Sequence, residues 1–162
     1  MKKISLTALC VFSLFVLACG EKTTVSTPTG DIKMTQKGDA ITFEMKDKGE
    51  KTNVAISGSE KGVALPEKFP SDFPVMPGAI VKVAMTTGDG MSVQFSVKAS
   101  QADAVKYYEE NLKAKGWNIE ASMNMGESSM MSAKKGNREC VLNLVTDKGG
   151  SIVQVMLASE KS

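Results

Sequence analysis

The 162-residue sequence contains no histidine. Histidine is the commonest general base and a frequent zinc ligand, so its absence excludes Ser-His-Asp and Cys-His catalytic sites and most zinc sites. The serines and carboxylates show no nucleophile elbow or paired spacing, and the turns Gly88-Asp89-Gly90 and Lys148-Gly149-Gly150 do not resemble phosphate-binding loops. We therefore predict that the protein is not an enzyme and has no cofactor, with an unrecognised carboxylate-based enzyme as the disfavoured alternative.

Concentrated positive charge is also scarce. The chain has a single arginine, Arg138, and its lysines are spread evenly. Removing Lys2 and Lys3 leaves 18 basic residues against 18 acidic ones, so the chain without its first residues is formally neutral. Because nucleic-acid phosphates are bound by clustered positive charge, the sequence predicts no nucleic-acid partner.

The N-terminal apolar run is too short to cross a membrane. Residues 4–18 carry no charge and follow Lys2 and Lys3, which is the outline of a cleavable signal peptide. A spanning helix needs roughly 20 apolar residues to cross the hydrocarbon core, which is more than this run provides. We therefore predict that residues 1–18 are an export signal.

The end of this run carries a more specific signal. Val16-Leu17-Ala18-Cys19 resembles the lipobox of bacterial lipoproteins, in which a small residue precedes a cysteine that is lipidated and becomes the N-terminus. The resemblance implies an acyl anchor on Cys19 and a location in the bacterial cell envelope. Gly20, in place of aspartate, favours the periplasmic side of the outer membrane if the host has two membranes. An ordinary secretory peptide with an incidental cysteine is the alternative.

Cysteine is too rare to build a disulfide framework. Cys10 would leave with the signal and Cys19 would carry the lipid, so Cys140 would have no intramolecular partner. Cys140 shares one side of an alternating run with Leu142 and Leu144, and free cysteine packs as a small hydrophobic side chain. We expect a buried structural thiol and keep a reactive one as the alternative.

The rest of the chain divides by composition. Residues 19–30 are polar and lack apolar periodicity, as in a flexible tether. Residues 31–62 alternate with the period of strands, and Ile41, Phe43 and Met45 fall on one face. Residues 63–79 contain four prolines and predict a stiff, polyproline-like connector whose two phenylalanines pack back onto the core, with a ligand for an aromatic-lined groove as the alternative. The predicted units are therefore a signal peptide (1–18), a tether (19–30), a three-stranded meander (31–62), a connector (63–79) and a final domain (80–162).

The final domain has a readable order of elements. Two alternating strands flank Gly88-Asp89-Gly90, and a helix follows with Ser100 and Asp103 as a capping-box-like start and Gly116 at its end. Further strands are predicted over 117–121, 128–134, 138–146 and 151–158. The predicted fold class is α+β, with one or more antiparallel sheets and a single covering helix, preceded by the small three-stranded meander.

Three segments together resemble a widespread group of bacterial lipoproteins of uncharacterised activity. They are the connector PEKFPSDFPVMPGA, the helix end YYEENLKAKGW and the hairpin MSAKKGNREC. The resemblance covers roughly residues 31–160 and concerns structural residues, so it supports the fold and implies no activity.

A methionine cluster raises a second functional hypothesis. Met123, Met125, Met130 and Met131 lie within nine residues, and thioether sulfurs suit Cu(I), a soft ion. Methionine also fills irregular cores, so these residues can be simple packing. The leading hypothesis is a lipid-anchored, non-catalytic binding or scaffold domain that contacts the membrane through its lipid and presents a surface to a protein partner in the envelope. A Cu(I) carrier is the alternative.

Overall fold

The computed structural model describes residues 22–27, 30–47, 50–88 and 90–159, and these form one antiparallel sheet of ten strands with one helix. The order across the sheet is β1-β2-β3-β4-β5-β6-β10-β9-β8-β7. Cys19 and the predicted signal peptide lie outside the described residues. The elements are β1 (Lys22–Thr27), β2 (Gly30–Lys37), β3 (Ala40–Asp47), β4 (Glu50–Ser57), β5 (Ile80–Thr87), β6 (Gly90–Val97), α1 (Gln101–Ala114), β7 (Asn118–Asn124), β8 (Ser128–Lys135), β9 (Arg138–Asp147) and β10 (Gly150–Ser159).

The predicted fold class is wrong. The meander β2–β4 is not a separate unit, because residues 52–56 of β4 pair with residues 83–87 of β5 and join both halves into one sheet. The helix has only 14 residues, so the fold is β-rich. The pairing was missed because β4 and β5 are separated by the long connector, and period-two patterning identifies strands without identifying their partners.

The segment predicted as a tether also contains a strand. Lys22–Thr27 pairs antiparallel with β2, with Lys22 opposite Thr35 and Thr27 opposite Gly30. Three of its six residues are threonine, a β-branched residue that favours strands. Because this strand is mostly polar, it lacks the apolar periodicity by which a strand is predicted from sequence.

The helix begins and ends where the sequence predicts. The side chain of Ser100 accepts a hydrogen bond from the backbone N–H of Asp103, and Ser100 Oγ donates to the carboxylate of Asp103 at 2.6 Å. Gly116 follows the helix with φ of 79°, a left-handed conformation that glycine adopts without a steric cost. The buried positions Ala104, Tyr108 and Leu112 form the stripe that packs on strands β7–β10.

The two faces of the sheet differ along its length. We call the side that carries α1 the helix face and the opposite side the open face. In β6 and β8–β10, the buried side chains point to the helix face. In β2–β4 the strand register reverses this preference: Ile41, Phe43 and Met45 point to the open face, whereas Thr42 and Glu44 point to the helix face. The apolar side of the sheet therefore changes between its two halves.

Gly150, at the start of β10, lies too close to β6 to accommodate a side chain. A Cβ added to Gly150 would collide with the carbonyl of Val97 on β6, a backbone atom that cannot rotate away. We expect Gly150→Ala to lower the free energy of unfolding by about 1–3 kcal/mol, as overpacking does. Denaturant unfolding measures this change.

Gly58 is the matched control. A Cβ there meets nothing within 4 Å, and its φ is not positive. Gly58→Ala should change stability by less than about 0.5 kcal/mol. Equal effects of the two substitutions would contradict the predicted collision.

Candidate functional site

The proline-rich connector is fastened to the core by aromatic contacts. Phe73 is buried, and its ring lies 5.8 Å from Trp117 and 5.6 Å from Phe69, both in edge-to-face geometry. Phe69 in turn contacts Phe95 of β6 at 6.3 Å. The segment is not extended, because the backbone N–H groups of Phe69, Phe73 and Ala79 donate to the carbonyls of Pro66, Pro70 and Met76 and close three turns. The prolines fix φ in this segment, so ordering it costs little backbone entropy. The predicted packing of both phenylalanines onto the core is confirmed.

An ion-pair cluster lies beside these rings. Both carboxylate oxygens of Asp72 accept hydrogen bonds from Arg138, at 2.8 and 2.6 Å, and Oδ2 also accepts one from Lys135 Nζ at 2.7 Å. Lys135 Nζ donates a second hydrogen bond, to the carbonyl of Lys115 at the end of α1. The guanidinium of Arg138 lies 5.1 Å from the centre of the Trp117 ring, a cation–π contact. These hydrogen bonds hold the pKa of Asp72 well below its usual range.

The two tyrosines of the helix hold the end of the connector. Tyr107 donates a hydrogen bond to the carbonyl of Val75 at 2.9 Å. Tyr108 is fully buried beside Phe73, and burial raises the pKa of Tyr108 above its usual range. Every motif that carries the resemblance to bacterial lipoproteins therefore supplies a residue to one cluster, which we call the connector clamp. Its members are Phe69, Asp72, Phe73, Tyr107, Tyr108, Trp117, Lys135 and Arg138.

Asp72→Asn tests the clamp. The substitution removes the charge that pairs with Arg138 and Lys135, and we expect a loss of about 1–2 kcal/mol at pH 7 after allowance for solvent screening. The pKa of Asp72 is lower in the folded protein than in the unfolded chain, where it is about 4. The stabilisation is therefore present at pH values above about 4 and is lost as the pH falls below that value. The stability difference between wild type and variant should therefore shrink in acid.

Denaturant unfolding at a series of pH values measures this difference. Asp39→Asn, in the exposed turn between β2 and β3, is the control and should have little effect at any pH. A difference between wild type and Asp72→Asn that does not change with pH would contradict the electrostatic role of the clamp.

Cys140 lies in the core, as expected for a structural thiol. It is fully buried between Ala133 on β8 and Leu157 on β10, and burial raises the pKa of Cys140 to about 11. Arg138, the cation near it in sequence, is engaged with Asp72. A thiol with so little thiolate at neutral pH is a poor nucleophile.

The four methionines proposed as copper ligands do not share one side of the sheet. Met123 and Met130 are cross-strand partners on the open face. Met131 is 1% exposed and points to the helix face, where it packs in the core. Met125 is 59% exposed and follows β7. The structure therefore pairs two of the four thioethers and separates Met131 from them.

Alanine substitutions distinguish these positions. Met131→Ala should lower the free energy of unfolding by about 2–5 kcal/mol, because it empties a buried site. Met123→Ala, at a position that is 51% exposed, should change it by less than about 0.5 kcal/mol. Thermal or denaturant unfolding without metal measures both changes. A small effect at Met131 would contradict its core role.

A cleft lies between the connector and the helix face of β3–β5. Its volume is about 660 Å³, within the range of small-molecule sites, but five of its lining side chains are charged. These are Glu44, Glu50, Lys51, Glu67 and Lys68. Ligand pockets are mainly apolar with few polar groups, so this open and charged cleft is a weak candidate.

The open face is the stronger candidate. Eight large apolar side chains are exposed among the described residues, and six of them lie on this face. The largest apolar patch on a monomeric protein is often a functional surface. Three of the six, Met45, Ile56 and Met85, lie on β3–β5 among half-buried apolar side chains that point to the same face, and we call this surface the apolar patch. Its members are Ile32, Met34, Ile41, Phe43, Met45, Val54, Ile56, Val83 and Met85.

A metal site and a membrane-spanning helix are both absent from the residues that the structure describes. Those residues contain no group of three or more cysteine or acidic side chains arranged to hold a metal ion. In the same part of the chain, no helix has both the length and the apolar character needed to cross a bilayer.

Residues 79–158 match a protein-family model described as START domain-like. This stretch begins just before β5 and ends within β10, so it contains α1 and most of the sheet's C-terminal half. Comparison with curated proteins and with solved structures gave no match. The match lies outside most of the apolar patch, whose residues on β2–β4 precede it.

Sequence reasoning found the strands of the patch but not the patch itself. The alternation of Ile41, Phe43 and Met45 indicates one apolar face, but it does not predict whether the rest of the protein covers that face. A signal for the clamp was also present, since the only arginine and the connector's only aspartate both belong to the quoted motifs. Neither spacing nor composition, however, predicts which charged side chains form an ion pair.

Proposed function

We propose that this protein is a lipid-anchored, non-catalytic binding or scaffold protein of the bacterial cell envelope that acts through the open face of its sheet. The observation that carries this proposal is the concentration of exposed apolar side chains on that face. Met45, Ile56 and Met85 are 38%, 42% and 38% exposed, although they point to the same side of three neighbouring strands. Apolar side chains in this arrangement gain free energy when a partner removes them from water.

Other features support a surface-binding role. The helix face is occupied by α1 and the connector clamp, so the open face is the broad surface left for a partner. The START domain-like match is consistent with a binding domain. The anchor rests on the lipobox-like segment ending at Cys19, and a lipid there would hold the domain at a membrane. The copper hypothesis gains no support from the arrangement of the four methionines.

Cysteine labelling in native membranes tests whether the open face is covered. The variants are Ile56→Cys and, on the same strand, Asn53→Cys, which points to the helix face at an exposed position. Cys140 is fully buried, so the introduced thiol should dominate labelling by a membrane-impermeant maleimide. We expect both variants to react in a soluble form that carries Cys19→Ala, and only Asn53→Cys to react fully in intact membranes.

Fractionation of the same cells tests the anchor separately. The wild type should sediment with membranes, with a mass equal to residues 19–162 plus acyl chains, and Cys19→Ala should become soluble. Membrane sedimentation of Cys19→Ala would overturn the lipid anchor. Equal labelling of Ile56→Cys and Asn53→Cys in membranes would overturn the role of the open face.

A further inference from the structure

The structure points to the bilayer surface as the occupant of the apolar patch: we infer that β2–β5 lie with their open face against the membrane that holds the lipid anchor. This inference rests on the proposed anchor and goes beyond it, since an anchor alone would let the domain stand away from the membrane. It follows from the composition of the patch, its distance from Cys19 and its size.

The composition of the patch suits lipid. On the open face, residues 32–36, 41–45 and 52–56 present seven apolar side chains, together with Gln36 and Thr52. None of these nine side chains carries a charge. The lysines of the same strands, such as Lys33 and Lys46, point to the helix face, away from the patch. Burying these nine side chains at a membrane would therefore desolvate no ion, which is the main cost of such contact. Glu50, which has the same alternation at the start of β4, marks the end of this uncharged surface.

The distance from Cys19 keeps the patch near the membrane. Lys22 begins β1 and lies three residues after Cys19, and three extended residues reach at most about 11 Å. Strands are spaced about 4.8 Å apart, so β4 lies roughly 14 Å from β1 across the sheet. A lipid on Cys19 would therefore hold the edge of the sheet at the headgroups and the patch within a short distance of them.

The size of the patch favours a bilayer over a second copy of the chain. Four strands of about five residues each cover roughly 300 Å² in projection. Only three of the nine patch members, Met45, Ile56 and Met85, are exposed, whereas a stable protein interface buries about 800 Å² of accessible surface on each partner. A membrane imposes no such minimum, because a small apolar contact is reinforced by the covalent lipid.

Spin labelling of the full-length lipidated protein in vesicles of phosphatidylethanolamine and phosphatidylglycerol tests this inference. Nitroxides are attached at Ile56→Cys and Asn53→Cys, which lie on opposite faces of β4. Collision rates with oxygen, which concentrates in lipid, and with a water-soluble nickel complex report the depth of each label. We expect the ratio of oxygen to nickel accessibility to be several-fold higher at Ile56→Cys than at Asn53→Cys.

Two other results would overturn the inference. Equal and high nickel accessibility at both positions would mean that the domain stands off the membrane. Shielding of Ile56→Cys from both reagents, with spectral broadening that grows with the protein-to-lipid ratio, would mean that a second copy covers the patch.

A charge variant provides an independent measurement. Met85→Asp in the Ile56→Cys background should raise nickel accessibility at Ile56→Cys while the protein stays with the vesicles, because the anchor is intact. Unchanged accessibility in this variant would contradict membrane contact by the patch. Failure of the anchor itself is recognised separately, since unlipidated protein would not float with the vesicles.

Discussion

The hydrogen-bonded pairing of β4 with β5 is the constraint on which the rest of the structure depends. It turns two short sheets into one and fixes which side of the combined sheet each side chain faces. The register places Ala55 opposite Ala84 and Val54 opposite Met85, so small residues meet on the helix face and larger apolar ones on the open face. A register shift of one residue would exchange these sides and bring the patch beneath the connector.

The connector is the physical reason why this pairing forms. It runs from the end of β4 to the start of β5, and its clamp ties the segment to α1, β6 and the β8–β9 turn. Val63 N–H also donates to the carbonyl of Val81 at 2.8 Å, which fastens the start of the connector to β5. Prolines lower the entropy of the unfolded connector, and the clamp supplies the tertiary contacts that select one path for it. The connector therefore joins the two halves of the sheet.

The positions of most strands and of the helix could be predicted from the sequence, but the pairing of the strands could not. Strong alternation in β3 and β6 and the cap residues of α1 located the elements to within a residue or two, because these signals are local. The predicted fold class failed because strand partners, the continuity of the sheet and the strand in the supposed tether depend on non-local contacts. The candidate site follows the same division: the methionines are close in sequence, yet strand alternation sends Met130 and Met131 to opposite faces.

The change of apolar side between the two halves explains why α1 and the connector cover the apolar side of one half and leave that of the other exposed. The C-terminal half buries its apolar side under α1 and the connector. Among the residues that the structure describes, none gives the strands β1–β4 such cover, and a sheet with one apolar side exposed gains little from the hydrophobic effect. Their stability in solution depends on hydrogen bonding to β5 and on local cross-strand pairs, so these strands should open at lower free energy than the core. A partner that covers the patch would therefore stabilise the less protected half of the sheet as well as bind to it.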